Sequence, residues 1–360
     1  MVDPVVDPTA GDGAAAAARR RSRFVPSGDA VRDWVGANAI LLVLIVLIVG
    51  IALIDSDFVA LTNLRNILLN SSTRLIIALG AGLVLISRGV DLSAGRMVGL
   101  AAVVSASMLQ TDEYARRFFP DLLPMPVFVP ILIAMGLCIL FGALNGVVIA
   151  RFGVPPFIAT LGMMVIVYGA NAIYFDTEPN NSQPIGGLRG DFTALGTGAI
   201  GSGEFSVPYI VVIAVVTAVL FWIVLNKTVF GKNVYAIGGN PQAAQVSGID
   251  LTRNLILVYA LAGAVYGLGG VLEAARTGGA NSTYGTLYEL DAIAACVVGG
   301  VSTAGGIGRV GGITAGVLVF GVINYGLTFI GINPFWQQII KGVIIIGAVA
   351  FDIARNRRRR

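Results

Sequence analysis

Ten apolar stretches recur along the chain, at roughly 34–54, 74–88, 95–110, 127–150, 156–175, 207–226, 254–275, 290–304, 308–330 and 336–353. A hydrocarbon layer about 30 Å thick accepts an apolar helix of roughly 20 residues. Each stretch therefore predicts a helix that spans, or nearly spans, a bilayer. The expected fold is an all-α integral membrane protein, a polytopic bundle of about ten transmembrane helices with short and broken central ones. The second, third and eighth stretches are short or interrupted by Gly. Such segments are tolerated only when packed inside protein or lining a cavity, so they are expected in the middle of the bundle.

The polar positions divide the rest. Residues 1–33 are rich in Ala, Asp, Gly, Pro and Arg without an apolar period, which predicts a disordered tail. Arg19, Arg20, Arg21 and Arg23 precede the first apolar run, as they would in a signal peptide. That run is too long for a typical signal core, and no small-residue cleavage site follows it, so a retained first helix is expected. The membrane domain then covers 34–353, with a basic tail at 354–360. Two long polar interruptions lie inside it, at 176–206 and 227–253.

Composition confirms the solvent. The 360 residues are 56% hydrophobic and only 12% charged, with a mean hydropathy of +0.83. Soluble domains carry about a quarter charged residues, so one compact core cannot hide this much apolar surface. The 47 glycines suit a membrane bundle, where small residues let helix backbones approach closely.

Charge predicts orientation. Basic residues mark the cytoplasmic side, and most of the 24 lie inside if the chain starts inside and crosses ten times. Arg65, Arg74, Arg116, Arg117, Arg189 and Arg276 fall outside on this count, and Lys341 lies within the last span, free to snorkel. The two tails carry most of the contrast. Both termini are expected in the cytoplasm, with 227–253 inside and 176–206 outside. The tail arginines serve topology and anionic lipid heads, and no nucleic-acid partner is expected.

The chemistry available is narrow. Histidine is absent, which removes Ser–His and Cys–His catalysis and histidine metal sites. Cys138 and Cys296 sit in apolar runs without metal or disulfide spacing. No GxxxxGK[ST] phosphate loop occurs, and GGIGRVGG at Gly305–Gly312 lacks the lysine. No catalytic residue, metal site or cofactor is expected in this chain.

The inner interruption has structure of its own. Asn240 suits an N-cap, Pro241 the first helical position and Gly248 a left-handed terminator, which predicts a two-turn helix over Gln242–Ser247. A helix that short is marginal alone in water, so it rests on the bundle or on a partner. Ala243, Ala244 and Val246 offer it a small apolar face.

Polar residues inside spans are costly and mark candidate sites. Asp91 or Ser93 in GVDLSAG could cap the third helix or act as a gate. Glu289 and Asp291 open the eighth segment, where acids favour the positive end of the helix dipole. Asn145, Thr160, Tyr168, Asn171, Tyr174, Tyr259 and Asn324 are candidates to line a polar solute's path, or to bond between helices. Asn171 and Tyr174 share a helix face and are placed near the outer mouth.

Five blocks carry a resemblance: FGKNVYAIGGNPQAAQVSGIDLTRN (Phe230–Asn254), GVDLSAGRMVGLAAVV (Gly89–Val104), GALNGVVIARFGVPPFIATLGMM (Gly142–Met164), YELDAIAACVVGGVSTAGGIG (Tyr288–Gly308) and NPFWQQIIKG (Asn333–Gly342). Together they resemble the ribose/xylose/galactose-type permeases of ABC importers, in order over most of 74–353. LSAGRMVGLAAVV, GMMVIVYGANAIYF and VINYGLTFIGINPFWQ lean toward the galactose/methyl-galactoside branch. The long N-terminal tail and the Gly/Asn-rich outer loop have no match in that pattern. The resemblance implies a permease domain in a bacterial inner membrane that moves a monosaccharide. It implies as partners a second permease copy in a homodimer, an external sugar-binding protein and a cytoplasmic ATPase holding ATP and Mg. By the same analogy Gly239, Asn240, Pro241, Ala243, Ala244, Ser247 and Gly248 form the element that couples to the ATPase.

Two rival classes fit parts of the pattern. An ion-coupled secondary transporter would also use broken helices, but every acid here lies near a predicted helix end. An intramembrane enzyme would need a Ser–Lys pair drawn from GVDLSAG and Lys341.

Overall fold

The computed structural model describes residues 42–201, 203 and 206–357; the expected tail at 1–33 lies outside them. Helix α1 covers Leu42–Ile54, and a 3-10 turn at Ser56–Val59 leads into α2 (Leu61–Ile86). Then come α3 (Ala94–Met108), α4 (Phe128–Phe152), α5 (Pro156–Asp176) and the short α6 (Gly190–Thr197). A two-residue hairpin, β1 (Ala199–Ile200) and β2 (Val207–Pro208), precedes α7 (Tyr209–Lys227). The remaining helices are α8 (Val229–Gly239), α9 (Pro241–Val246), α10 (Leu251–Thr277), α11 (Tyr288–Val298), α12 (Val310–Phe329) and α13 (Pro334–Arg357).

Six helices among the described residues, α2, α4, α5, α7, α10 and α12, are long and apolar enough to cross a bilayer. The chain is therefore an all-helical, polytopic membrane protein. Helices α1 and α3 are apolar but shorter, and α11 has only 11 residues, about 16 Å of helix.

Helices α2 and α10 form the axis of the bundle. Helix α10 packs on α4, α3, α2 and the short α6, while α2 adds α11, α12 and α7. Nearly all of α3 is buried, as a short central segment should be. In contrast α4, α5 and α7 are exposed over most of their surface, and they carry the exposed Leu132, Leu140, Ile158, Val165, Val216 and Leu220.

The second segment is not short, contrary to its pattern. It begins at Leu61 and runs 26 residues, because the polar run that hid its first half finds partners inside the protein. Asn66 donates to the Tyr325 hydroxyl at 3.2 Å, and that hydroxyl donates to Asn63 at 2.7 Å. Ser72 donates back to the Leu68 carbonyl at 2.7 Å. Hydropathy counts these side chains as water-loving, but a partnered polar group no longer needs water.

The 176–206 interruption is built as well. Its backbone pairs Ile185 with Ala280, and Gln110 pairs with Leu188. Arg189 bonds Asp191 at 3.1 and 2.5 Å, and this contact holds the Asp191 carboxyl below its ordinary range. The carboxylate sits in the first turn of α6, where an acid is favoured.

The α4–α10 contact depends on backbone approach. A Cβ on Gly142 would collide with the Tyr259 carbonyl, and one on Gly263 with that of Cys138. Gly142→Leu should therefore lose most of its folded, monodisperse protein in detergent size exclusion, since overpacking costs about 1–3 kcal/mol or more. Gly136→Leu, on the same helix with no atom within 4 Å of its Cβ position, should elute like the parent chain.

Candidate functional site

The capped helix expected in the inner interruption is α9. Asn240 accepts the Ala243 amide at 3.0 Å, Pro241 is the first helical residue, and Ser247 donates to the Ala243 carbonyl at 2.8 Å. Gly248 takes the left-handed conformation, with φ +83°, where only glycine is free of strain. The apolar face divides in two. Ala244 turns into the bundle, whereas Ala243 and Val246 face outward, Val246 with 90% of its surface exposed. Gly239 faces open space. A helix of six residues with an outward valine is a small projecting knob.

The 11-residue helix α8 before it was not visible as a pattern. Thr228 caps it by accepting the Gly231 amide at 3.1 Å. Its last turn holds Gly238, buried against the carbonyl end of α2. Its three glycines, Gly231, Gly238 and Gly239, disguise α8, because glycine disfavours helix on propensity alone. A cavity of about 190 Å³ opens beside this region, bordered by Arg88, Gly89, Pro156, Pro241, Leu255 and Tyr259.

The turn between α2 and α3 holds a buried polar chain. Asp91 accepts from both the amide of Ser93, at 2.9 Å, and its hydroxyl, at 2.5 Å. Asn145 of α4 donates to that hydroxyl at 3.0 Å. Ser93 occupies the N-cap position of α3, but neither its side chain nor that of Asp91 reaches the first-turn amides.

The other candidate pathway residues do not converge on one cavity. Thr160 donates to the Pro156 carbonyl of its own helix at 2.9 Å. Tyr174 and Ser107 share a hydrogen bond of 2.7 Å, and the tyrosine ring stacks on Phe118. Asn171 lies on the same buried face, beside Gly99. Tyr168 is different: its ring is 48% exposed and lies 4.7 Å below the Arg96 guanidinium. The Tyr259 hydroxyl is buried without a partner, as are both amide atoms of Asn324.

Charge produces the feature least visible in the sequence. Glu289 and Asp291 do open α11, and Asp291 accepts from Arg74 of α2 at 2.6 Å and from Lys341 of α13 at 3.2 Å. Lys341 is thus a bonded strut and does not snorkel away. Arg74 lies over the Tyr288 ring, and the Tyr288 hydroxyl donates to Glu273 at 3.0 Å. Glu273 also accepts from Arg276 at 2.8 Å, which donates onward to Asn70 at 3.0 Å. Four helices are therefore tied by one chain of charges. The Glu273–Arg276 pair at i,i+3 was the only part legible beforehand.

The structure is thus a helical membrane bundle with buried polar and charged networks and one short projecting helix, α9. The family model described as "Branched-chain amino acid transport system / permease component" matches residues 63–349, and the chain belongs to that permease family. It is 50% identical over 327 residues to the galactose/methyl galactoside import permease protein MglC of Salmonella typhimurium, covering 91% of this chain and 97% of that one. The Haemophilus influenzae protein of the same name is 52% identical over 328 residues, with the same two coverages, 91% and 97%. The ribose import permease protein RbsC of Escherichia coli is 36% identical over 321 residues, 89% of this chain and 95% of its own. No solved structure matches the chain.

Removing one partner of a buried charge set leaves the others uncompensated, at about 3–5 kcal/mol. Asp291→Ala should lower the thermal midpoint of the detergent-solubilised protein, because Arg74 and Lys341 then face each other without an anion between them. Adding Lys341→Met to that variant should restore part of the loss, and a double-mutant cycle by thermal shift measures the coupling.

Proposed function

We propose that this chain is the transmembrane permease subunit of an ATP-binding-cassette importer. It moves a monosaccharide, galactose or a methyl galactoside before ribose, xylose or glucose. An external binding protein delivers the sugar and a separate cytoplasmic ATPase supplies the energy. The observation that carries this reading is the similarity to import permeases named for galactose, which is about even over nine-tenths of the chain. The chain is not itself an enzyme; ATP and Mg belong to the partner.

The topology proposed is ten crossings with both termini cytoplasmic, in a bacterial inner membrane. It is supported by the match between ten apolar stretches and α1–α5, α7 and α10–α13, the short α3 and α11 being completed by loops packed in the bundle. Residues 1–33 and 354–360 then form cytoplasmic tails, 227–253 the coupling loop and 176–206 an external loop. A second copy completes the translocation path, for which the half-exposed Tyr168 of α5 and its neighbour Arg96 of α3 are the best-placed polar groups.

Within this reading Gly239, Asn240, Pro241, Ala243, Ala244, Ser247 and Gly248 form the coupling element. The exposed positions meet the ATPase, while Ala244 anchors the helix. Ala243→Trp adds bulk where this chain offers no obstruction. The variant should express and melt like the parent, yet lose ATP-driven uptake in proteoliposomes by at least ~10-fold, as a buried interface hot spot would. Unchanged uptake would remove the coupling assignment. For the substrate, labelled galactose uptake by the full complex should be competed by galactose and methyl galactoside well before ribose or xylose. It should also survive a collapsed membrane potential, which an ion-coupled transporter would not.

A further inference from the structure

We infer that the contact of Ile86, Gly238 and Gly306 is the mechanical joint through which the coupling helix moves α2 and α12, with Gly238 as its positioning residue. This rests on the coupling role proposed for α9. Nothing in the sequence pattern singled out Gly238, which lies just before the coupling element and away from its exposed face.

Three backbone segments meet there with no side chain between them. A Cβ on Gly238 would overlap the Ile86 carbonyl oxygen and come within 2.5 Å of the Gly306 amide nitrogen. That amide donates to the same Ile86 carbonyl at 2.8 Å. A Cβ on Gly305 would lie 2.7 Å from both the Gly238 carbonyl and the Arg88 Cβ. Gly305 and Gly306 have φ +85° and +73°, a hairpin conformation that glycine adopts without strain. The hairpin is closed by Ser302 donating to the Ile307 carbonyl at 2.9 Å, and Tyr235 of α8 donates to the Gly308 carbonyl at 2.8 Å. One residue separates Gly308 from the first residue of α12, Val310.

The consequence is mechanical. Side-chain contacts give by changing rotamer, whereas backbone against backbone in a packed interior transmits displacement. A push on α9 passes through Asn240 and Gly239 to Gly238. From there it reaches the end of α2 and the hairpin that starts α12. Helix α2 is buried over most of Ser71–Ile86 and acts there as a rod. Its Arg74 lies twelve residues above Ile86, about 18 Å along the axis, in the ion-pair set with Asp291 and Lys341. The joint thus links the ATPase side of the bundle to the charges halfway along α2, through a contiguous packed element rather than through sequence.

The test uses the complete complex of permease, ATPase and binding protein in proteoliposomes, reading labelled galactose uptake and ATP hydrolysis together. Gly238→Ala wedges the joint by one methyl group. We expect the ATPase to stay bound and active, while sugar moved per ATP falls at least ~5-fold, the range of a lost coupling free energy. Gly136→Ala, a methyl added in open space on α4, should leave that ratio unchanged. A glycine that served packing alone would change the amount of complex but not the ratio, and an unaltered ratio in Gly238→Ala overturns the inference.

Tyr235→Phe decides the matter if Gly238→Ala fails to assemble, since it removes the hydrogen bond from α8 to the Gly308 carbonyl without adding bulk. Sugar moved per ATP should then fall ~2- to 10-fold with the complex intact, the worth of one hydrogen bond, and an unchanged ratio overturns the inference. Uptake by the parent complex that continued without its ATPase would instead refute the importer reading itself.

Discussion

Where α4 crosses α10, the backbones touch repeatedly, at Gly142 and Gly146 of α4 and at Gly263 and Gly267 of α10. Two apolar helices in lipid gain nothing from hiding hydrophobic surface, since the lipid is as apolar as they are. What remains is dispersion between closely fitted atoms and the hydrogen bonds that close fitting permits. The glycines make that fit possible, and the axis of α2 and α10 collects the other helices around it. The same device recurs at Ile86 and Gly238, where it joins the membrane bundle to the helix expected to face the ATPase.

Close fitting has an electrostatic consequence. Little water is left to screen charges in so close a bundle, and Arg74, Glu273, Arg276, Asp291 and Lys341 answer one another across four helices. Such a set adds less stability than its short distances suggest, because desolvation offsets most of the attraction. Its value lies in fixing which helix faces which. Helix α13, which packs chiefly on α11 and α12, is registered by the Lys341–Asp291 contact.

Function in this arrangement belongs to elements that project or move, and stability to those that do not. Outside the bundle α9 presents Ala243 and Val246, and none of the described residues covers them. Inside, Asp91, Ser93 and Asn145 form a buried hydrogen-bond chain at the start of α3, with the second Asp91 oxygen and the Asn145 oxygen left without partners. This is a chain of short bonds in a region without solvent, suited to holding the α2–α3 turn in place while neighbouring segments shift. The single exposed aromatic among the candidate pathway residues, Tyr168, stands on the open flank of α5.

Much of this was legible in the chain alone. Apolar length and low charge determine a membrane bundle, because transfer to lipid is additive over residues and needs no knowledge of neighbours. Asn240, Pro241 and Gly248 determine α9, because a capped turn is a local object with each donor and acceptor within a few residues. The tertiary structure alone decided the first half of α2, since Asn63, Asn66 and Arg74 look unfit for a membrane until their partners from α11 and α12 arrive. It alone decided that Lys341 bonds inward, and that Asn171 and Tyr174 face α3. It alone separated Gly238, wedged between two backbones, from Gly239, which borders open space. Two adjacent glycines are identical to any rule that reads neighbours in sequence, and only the helix that comes to rest against one of them makes them different.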